Sequence, residues 1–243
     1  MDAALNIRRY WAVGIVIPAR DEEALIGACI DSVMCAAKTA GSRFWAVVVA
    51  DSCTDNTARV ARAHLGAQGE VVQCAKGSAG AARRLGVEAV LTHFARVAPR
   101  SIWLANTDAD TRVPANWLTT QLHLADTGIT GIAGIIKLED SGSPEALEAY
   151  RANYRVTSDG SHGHVHGANL AFRADAYLDV GGWCAAQLAE DHCLWRRLKA
   201  GGWRLRSDAL NQVCTSARLI GRAAGGFADT LKATIDGRCR AAS

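Results

Sequence analysis

Two carboxylates one position apart, Asp108 and Asp110, stand where an apolar run stops in ANTDADTRVPANW (105–117). In extended chain, residues i and i+2 project to the same side. Two like charges on one face repel, so the pair asks for something positive between them. A second acidic pair, Glu190 and Asp191, opens EDHCLWRRLKAGGW (190–203), where an acid can serve as a general base or simply favour the positive end of a helix. His162, His164 and His166 alternate in GSHGHVHGAN (160–169), and an extended backbone would align three imidazoles as zinc ligands. Arg218 and Arg222 in TSARLIGRAAGGF (215–227) are one helical turn apart, within common reach of a diphosphate. Each feature has a plainer alternative. The DADT cluster can close a turn on its own backbone, and the acids at 190 and 191 can cap a helix.

The elements that must position these residues alternate in type through the first half. AVGIVIP reads as a strand ending at Pro18, and DEEALIGACIDSVMCAAK as a helix with an acidic first turn. RFWAVVVAD is a second strand ending in Asp51, and SCTDNTARVARAHLG a helix closed by Gly66, with Ser52 or Thr54 as its cap. A short strand EVVQCA, a helix through AGAARRLGVEAVLTHFA and a fourth strand, Ile102 to Ala105, follow. Strand and helix in turn imply a parallel sheet with helices on both faces, whose ligands gather at the carboxyl ends of the strands. From about residue 131 the pattern changes to a strand in GIAGIIKLED, a helix around Pro144 to Val156, the histidine loop and the acidic-capped helix. One continuous domain over 1–243 is expected, with a nucleotide-binding half at 12–125 and an acceptor half with a C-terminal helix at 126–243.

Composition narrows the classes. The 243 residues are 49% hydrophobic and 21% charged, enough to bury a substantial core. A net charge of +3 gives no support for non-specific nucleic-acid binding. The eight cysteines contain no CxxC pair, which argues against a disulfide framework or a cysteine zinc site and for a reducing cytoplasm. The run YWAVGIVIP after Arg8 and Arg9 is too short and wrongly flanked for a signal peptide, and no stretch approaches the roughly 18 apolar residues of a spanning helix. A soluble protein is expected, whose acceptor is soluble or presents itself at a membrane surface.

Five segments in order, VIPARDEE (16–23), ADSCTDNTA (50–58), NTDADT (106–111), HGANLAFR (166–173) and EDHCLWRRLKAGGW (190–203), resemble the successive motifs of family 2 glycosyltransferases of the GT-A fold. The resemblance covers roughly residues 12–210 and implies a Rossmann-like, mostly parallel α/β sheet with helices on both faces and a smaller mixed acceptor half. It implies a hexosyltransferase that moves a sugar from a nucleoside diphosphate to an acceptor hydroxyl with inversion, UDP being the favoured nucleotide. On this pattern Asp110 is the direct ligand of Mn²⁺ or Mg²⁺, and Asp108 its neighbour at ribose or a metal-bound water. Hard cations of this kind take oxygen ligands, few from protein and several from phosphate and water.

By the same resemblance Asp51 meets the nucleobase, in a pocket lined by Pro18, Ala19 and Glu22. KGSAGAARRLG (76–86) supplies a basic turn with Lys76 and Arg83 near the nucleotide; it is not a Walker loop, because no GK[ST] follows. Asp191 is the general base beside Glu190, and His166, Gly167 and Asn169 belong to the acceptor side. Trp183, Trp195 and Trp203 can stack on a sugar or pack the core. Two rival functions remain at this level. A nucleotidyltransferase acting on a sugar phosphate predicts a Gly-rich loop after the first strand, which VIPARDEE lacks. A non-catalytic sugar-nucleotide-binding module predicts binding without turnover.

Overall fold

The computed structural model describes residues 11–139, 155–184 and 189–216. The expected helix at Pro144 to Val156 lies mostly outside these residues, and Arg218, Arg222 and the C-terminal helix lie outside them altogether. The first half runs β1 (Ala12–Ala19), α1 (Ile26–Ala40), β2 (Arg43–Asp51), α2 (Thr57–Leu65), β3 (Gly69–Cys74), α3 (Ala79–His93) and β4 (Ile102–Asn106). The second runs β5 (Thr111–Arg112), α4 (Trp117–Asp126), β6 (Gly131–Leu138), β7 (Leu170–Arg173), α5 (Ala174–Asp179), α6 (Glu190–Ala200) and β8 (Leu205–Thr215).

One eight-stranded sheet in the order β3-β2-β1-β4-β7-β6-β8-β5 crosses both halves. β3, β2, β1 and β4 are parallel, as the alternation of elements implies. β7 then enters antiparallel to both β4 and β6, while β8 returns parallel to β6, so the sheet as a whole is mixed. Period-two alternation sorts the side chains of β1 between two cores. Val13, Ile15 and Ile17 meet α1, α2 and α4, whereas Ala12 and Val16 face α3, α5 and α6.

Close approach of α3 to the sheet depends on absent side chains. A Cβ at Gly14 would lie 2.1 Å from Val90 Cγ1, and one at Gly86 2.4 Å from Val16 Cγ1. These contacts seat α3 from Gly86 to Val90 closely against Gly14 and Val16 of β1. Pro18 sits where β1 pairs only with β2, its register with β4 having ended at Val16, so its missing N–H costs no ladder bond on that side.

Two expected helix starts are corrected. α1 begins at Ile26 rather than in the acidic run, because Asp21 and Glu23 are engaged elsewhere: Thr54 N–H donates to Asp21 at 2.6 Å, and Asn56 N–H to Glu23 at 2.9 Å. For α2 the cap is neither Ser52 nor Thr54. Asp55 accepts the Thr57 N–H at 2.9 Å and binds the Thr57 hydroxyl. Among the described residues no helix is long and apolar enough to cross a membrane.

Candidate active site

The carboxyl ends of β2 and β4 each carry an aspartate, and the chain treats them differently. Asp51 is buried, and its Oδ1 accepts the backbone N–H of Lys76 at 2.6 Å and of Gly77 at 3.0 Å, while Oδ2 accepts that of Ser78 at 3.0 Å. The Ser52 hydroxyl adds a fourth bond. Gly77 has φ +66°, a left-handed conformation that lets consecutive N–H groups converge. The basic turn before α3 is thus an anion nest, and Asp51 is its anion. Burial works to raise the Asp51 pKa, but the donors at Gly77, Lys76, Ser52 and Ser78 outweigh it and hold the carboxyl below its ordinary value.

At the end of β4, the chain turns through Asp108–Thr111, with Thr111 N–H donating to the Asp108 carbonyl at 3.0 Å. Asp108, the first of the acidic pair, has as its positive partner Arg83, from the second turn of α3. Its Nη2 donates to Asp108 Oδ1 at 2.5 Å and its Nη1 to Glu190 Oε1 at 2.5 Å. Arg83 is only 3% exposed, and its guanidinium lies 5.3 Å from the centre of the Trp183 ring. Desolvation alone would lower its pKa, yet Asp108, Glu190 and Asp191 together raise it, so the charge is permanent.

Gly167 makes the room: a Cβ there would lie 2.4 Å from Arg83 Nη2. Its N–H donates to Asp191 Oδ2 at 3.0 Å, and the His192 N–H holds Oδ1 at 2.7 Å. Arg83, Asp108, Gly167, Glu190 and Asp191 therefore form one connected cluster where α3, β4 and α6 meet.

Asp110 stands apart from Arg83. Its Oδ1 lies 3.4 Å from Thr111 Oγ1 and 3.3 Å from Thr215 Oγ1, and the two hydroxyls are 3.0 Å apart. A half-exposed carboxylate bordered by hydroxyls is a hard oxygen donor, which suits Mg²⁺ or Mn²⁺. The donor chemistry of Asp110 and Asp108 fits such an ion. Cys29 donates to the Asp108 carbonyl at 3.3 Å and stays a thiol, its pKa pushed up by burial and then by Asp110 and Asp108.

Other candidates fall elsewhere. Asn169 is fully buried: its amide donates to the carbonyls of Ile135 and Asn211 and accepts from Trp117 Nε1, tying β6, β8 and α4 together rather than facing an acceptor. Glu22 is buried beside Thr57, whose hydroxyl accepts its N–H at 2.7 Å; Ala19 is buried too. A cavity of about 370 Å³ adjoins them, but Asp21, Glu22, Glu23 and Asp55 line it and would repel a diphosphate.

The imidazoles of His162, His164 and His166 do align, with ring centroids 5.9 and 6.0 Å apart. Stacked rings do not converge their nitrogens. Among the described residues, the set of His, Cys, Asp or Glu atoms close enough to share an ion is instead Asp21, Cys53 and Asp55. Burial lowers the pKa of each histidine, and of His166 to about 4 despite the nearby Asp191.

The expectation from cysteine spacing is corrected. Cys184 and Cys193 are joined by a disulfide, while Cys29, Cys35, Cys53 and Cys74 are free. Nine residues of separation carried no recognisable motif; the left-handed Ala189 and the start of α6 bring the two Cα atoms to 6.7 Å. The cysteines therefore give no argument for a reducing compartment. The three tryptophans are packing residues: Trp183 is buried against Phe172, Trp203 donates to Asp179, and Trp195 packs on the core of α3, α5 and α6.

A four-stranded parallel half extended by antiparallel strands, with acids at the strand ends and at the head of α6, defines the GT-A architecture. A family model, "Glycosyltransferase like family 2", matches residues 11–218, and the chain belongs to that family. Solved structures agree on the fold. S. aureus TarS in complex with UDP-GlcNAc superposes with TM-score 0.65 at 13% identity, over 89% of this chain and 61% of TarS. The mannosyltransferase PcManGT from Pyrobaculum calidifontis, in complex with GDP-Man and Mn²⁺, gives 0.60 at 18%, over 84% and 56%. Glucosyl-3-phosphoglycerate synthase from Mycobacterium tuberculosis, with Mn²⁺, UDP and phosphoglyceric acid, gives 0.55 at 17%, over 94% and 78%. The chain thus spans less than two thirds of TarS and of PcManGT. No curated protein matches its sequence.

Proposed function

We propose that this chain is a metal-dependent glycosyltransferase that moves a sugar, a hexosyl group, from a nucleoside diphosphate to an acceptor hydroxyl with inversion. The observation that carries the reading is the ion-paired cluster: one buried guanidinium joins Asp108, just beyond β4, to Glu190 at the head of α6, next to Asp191, which the Gly167 N–H holds. Membership of a glycosyltransferase family supports it. The bound UDP-GlcNAc of TarS and UDP of the synthase favour UDP, and the GDP-Man of PcManGT keeps GDP as the competing nucleotide.

In this reading Asp110, with Asp108 beside it, holds Mn²⁺ or Mg²⁺. The ion, when bound, neutralises the charge that develops on the departing diphosphate. Asp108 is fixed by Arg83 and faces the ribose or a metal-bound water. Asp191 takes the proton of the acceptor hydroxyl, its carboxylate aimed by the N–H groups of Gly167 and His192. Glu190, paired with Arg83, braces the network while Asp191 does the proton chemistry. Inversion follows from one base attacking through the acceptor on the face opposite the diphosphate. His166 and Gly167 border the acceptor side. Asp51 shapes the nucleotide pocket through the turn it grips, with Pro18, Ala19, Glu22 and Lys76 assigned to the same pocket.

The test is product formation from a panel of UDP- and GDP-sugars with Mn²⁺ or Mg²⁺, alongside thermal shifts with the same ligands. A ligand that binds only the folded form raises the melting point. Turnover that disappears in Asp110→Ala and Asp191→Asn, both still folded, supports the assignments. Undiminished turnover in both variants overturns them, and binding of UDP and Mn²⁺ with no transfer or hydrolysis of any donor would make the chain a binding module.

A further inference from the structure

The disulfide between Cys184 and Cys193 encloses the acidic pair at the head of α6. We propose that this bond is a thiol-reducible brace that positions Glu190 and Asp191, so that the chain is more active with the disulfide intact than as the dithiol. The proposal rests on the transferase reading given above.

The side chains of the first turn of α6 are held by Arg83 and by the Gly167 N–H, but its backbone entry is weak. Ala189, a residue with a Cβ, precedes the helix at φ +56°, a strained left-handed conformation, and no side chain caps the helix start. The rest of the helix is secured independently of the sulfurs. Leu194 and Leu198 are fully buried, and Arg197 donates to the carbonyls of Val180 and Gly182. Opening the bond would therefore loosen the turn that carries the acids and leave the helix docked.

The brace leans on the machinery it would control. The Cys184 carbonyl oxygen and Glu190 Cγ each lie 3.0 Å from where a Cβ of Gly80 would be, one turn before Arg83 on α3. Cys184, Glu190 and the start of α3 are thus packed together, and a shift at Cys184 is felt where Glu190 meets Arg83. Misplacing a catalytic group by about 1 Å can cost on the order of 100-fold in rate.

The bond is also built to exchange. Both half-cystines are partly exposed, so a thiolate can reach them. Arg197 Nη2 donates to Cys184 Sγ at 3.1 Å, which stabilises that sulfur as a leaving thiolate. One thiolate of an external dithiol attacks Cys193 Sγ; the S–S bond breaks and its electron pair leaves on Cys184. The second thiol of the reagent, deprotonated, then attacks the mixed disulfide and releases the Cys193 thiolate. The dithiol becomes a disulfide, having supplied two electrons, and its two protons end on the protein thiolates or in solvent.

The experiment compares the full chain in disulfide and dithiol forms, assigned by alkylation and mass spectrometry, together with Cys184→Ser and Cys193→Ser. Amide exchange is followed at Gly167, whose N–H is bound to Asp191, and at residues 190–193. Expected in the dithiol form is exchange at least about tenfold faster at these amides alone, and a kcat lower by about 10- to 100-fold. The donor KM should stay within about twofold. Both serine variants should behave as the dithiol form and ignore dithiothreitol. Equal exchange and equal kcat in the two forms overturn the brace, as does loss of circular dichroism throughout the chain on reduction, which would make the bond a general staple. If neither form transfers a sugar, exchange decides by itself: a difference confined to these amides upholds the brace while the transferase reading fails, and no difference overturns the brace.

Discussion

The ends of β2 and β4 place aspartates at equivalent points of one parallel sheet, yet Asp51 and Asp110 have opposite fates. Asp51 is saturated by backbone N–H groups from the turn before α3. Asp110 is half exposed and bordered by the hydroxyls of Thr111 and Thr215. Between them Asp108 is held by a single buried guanidinium. An acid at a strand end is therefore not a site in itself. What matters is which groups the fold sets around it, since a carboxylate saturated by backbone N–H groups organises a loop.

If this contrast is right, substitutions at the two places should fail in different ways. The largest effect is expected at the chemical end. Asp191→Asn should lower kcat by about 10²- to 10⁴-fold with the melting point nearly unchanged, measured by turnover and calorimetry. Asp110→Ala should abolish the melting-point rise that Mn²⁺ and UDP produce together, without destabilising the free protein.

Arg83→Met tests the link between the halves. It leaves Asp108 and Glu190 as neighbouring uncompensated carboxylates, and a loss of about 3–5 kcal/mol in urea unfolding is expected, partly restored by adding Glu190→Gln. A cost near zero would mean that water, not Arg83, satisfies those acids.

At the other strand end, Asp51→Asn should cost about 1.5–3 kcal/mol because an amide nitrogen would face backbone donors. The sign with pH is fixed by the direction of its shift. A depressed carboxyl pKa contributes stability above its unfolded value near 3.8, and that stability is lost as the pH falls through the folded value. The variant should lack this part of the acid transition.

The smallest effect is expected at His166. Its pKa of about 4 lies below the ordinary 6.5, so the unfolded chain binds the proton first and stability declines as the pH falls from 6.5 to about 4. His166→Gln should flatten that decline in a series of thermal melts.

Some of this was legible from local pattern. The apolar runs ending at Pro18 and Asp51 and before Asp108 became β1, β2 and β4, because strands buried on both faces read as unbroken hydrophobic segments. The repulsion between Asp108 and Asp110 implied a cation. That Asp108 is paired with Arg83 was hidden, since Arg83 lies 25 residues from Asp108 and 107 from Glu190. Asn169 was expected on the acceptor side because nothing nearby in sequence reveals that β6, β8 and α4 all converge on its amide. Helix starts misled for a related reason: the acids of Asp21–Glu23 resemble a first turn but bind the loop before α2.

The chain's own pattern thus determined the parallel half of the sheet, the two-sided burial of its strands and the residue types gathered at their carboxyl ends, because those follow from hydrophobic period and local turn chemistry. Only the folded molecule decided which acid binds backbone and which meets Arg83, and that Cys184 joins Cys193. Those outcomes depend on distances between segments remote in sequence, and short-range pattern carries no measure of such distances.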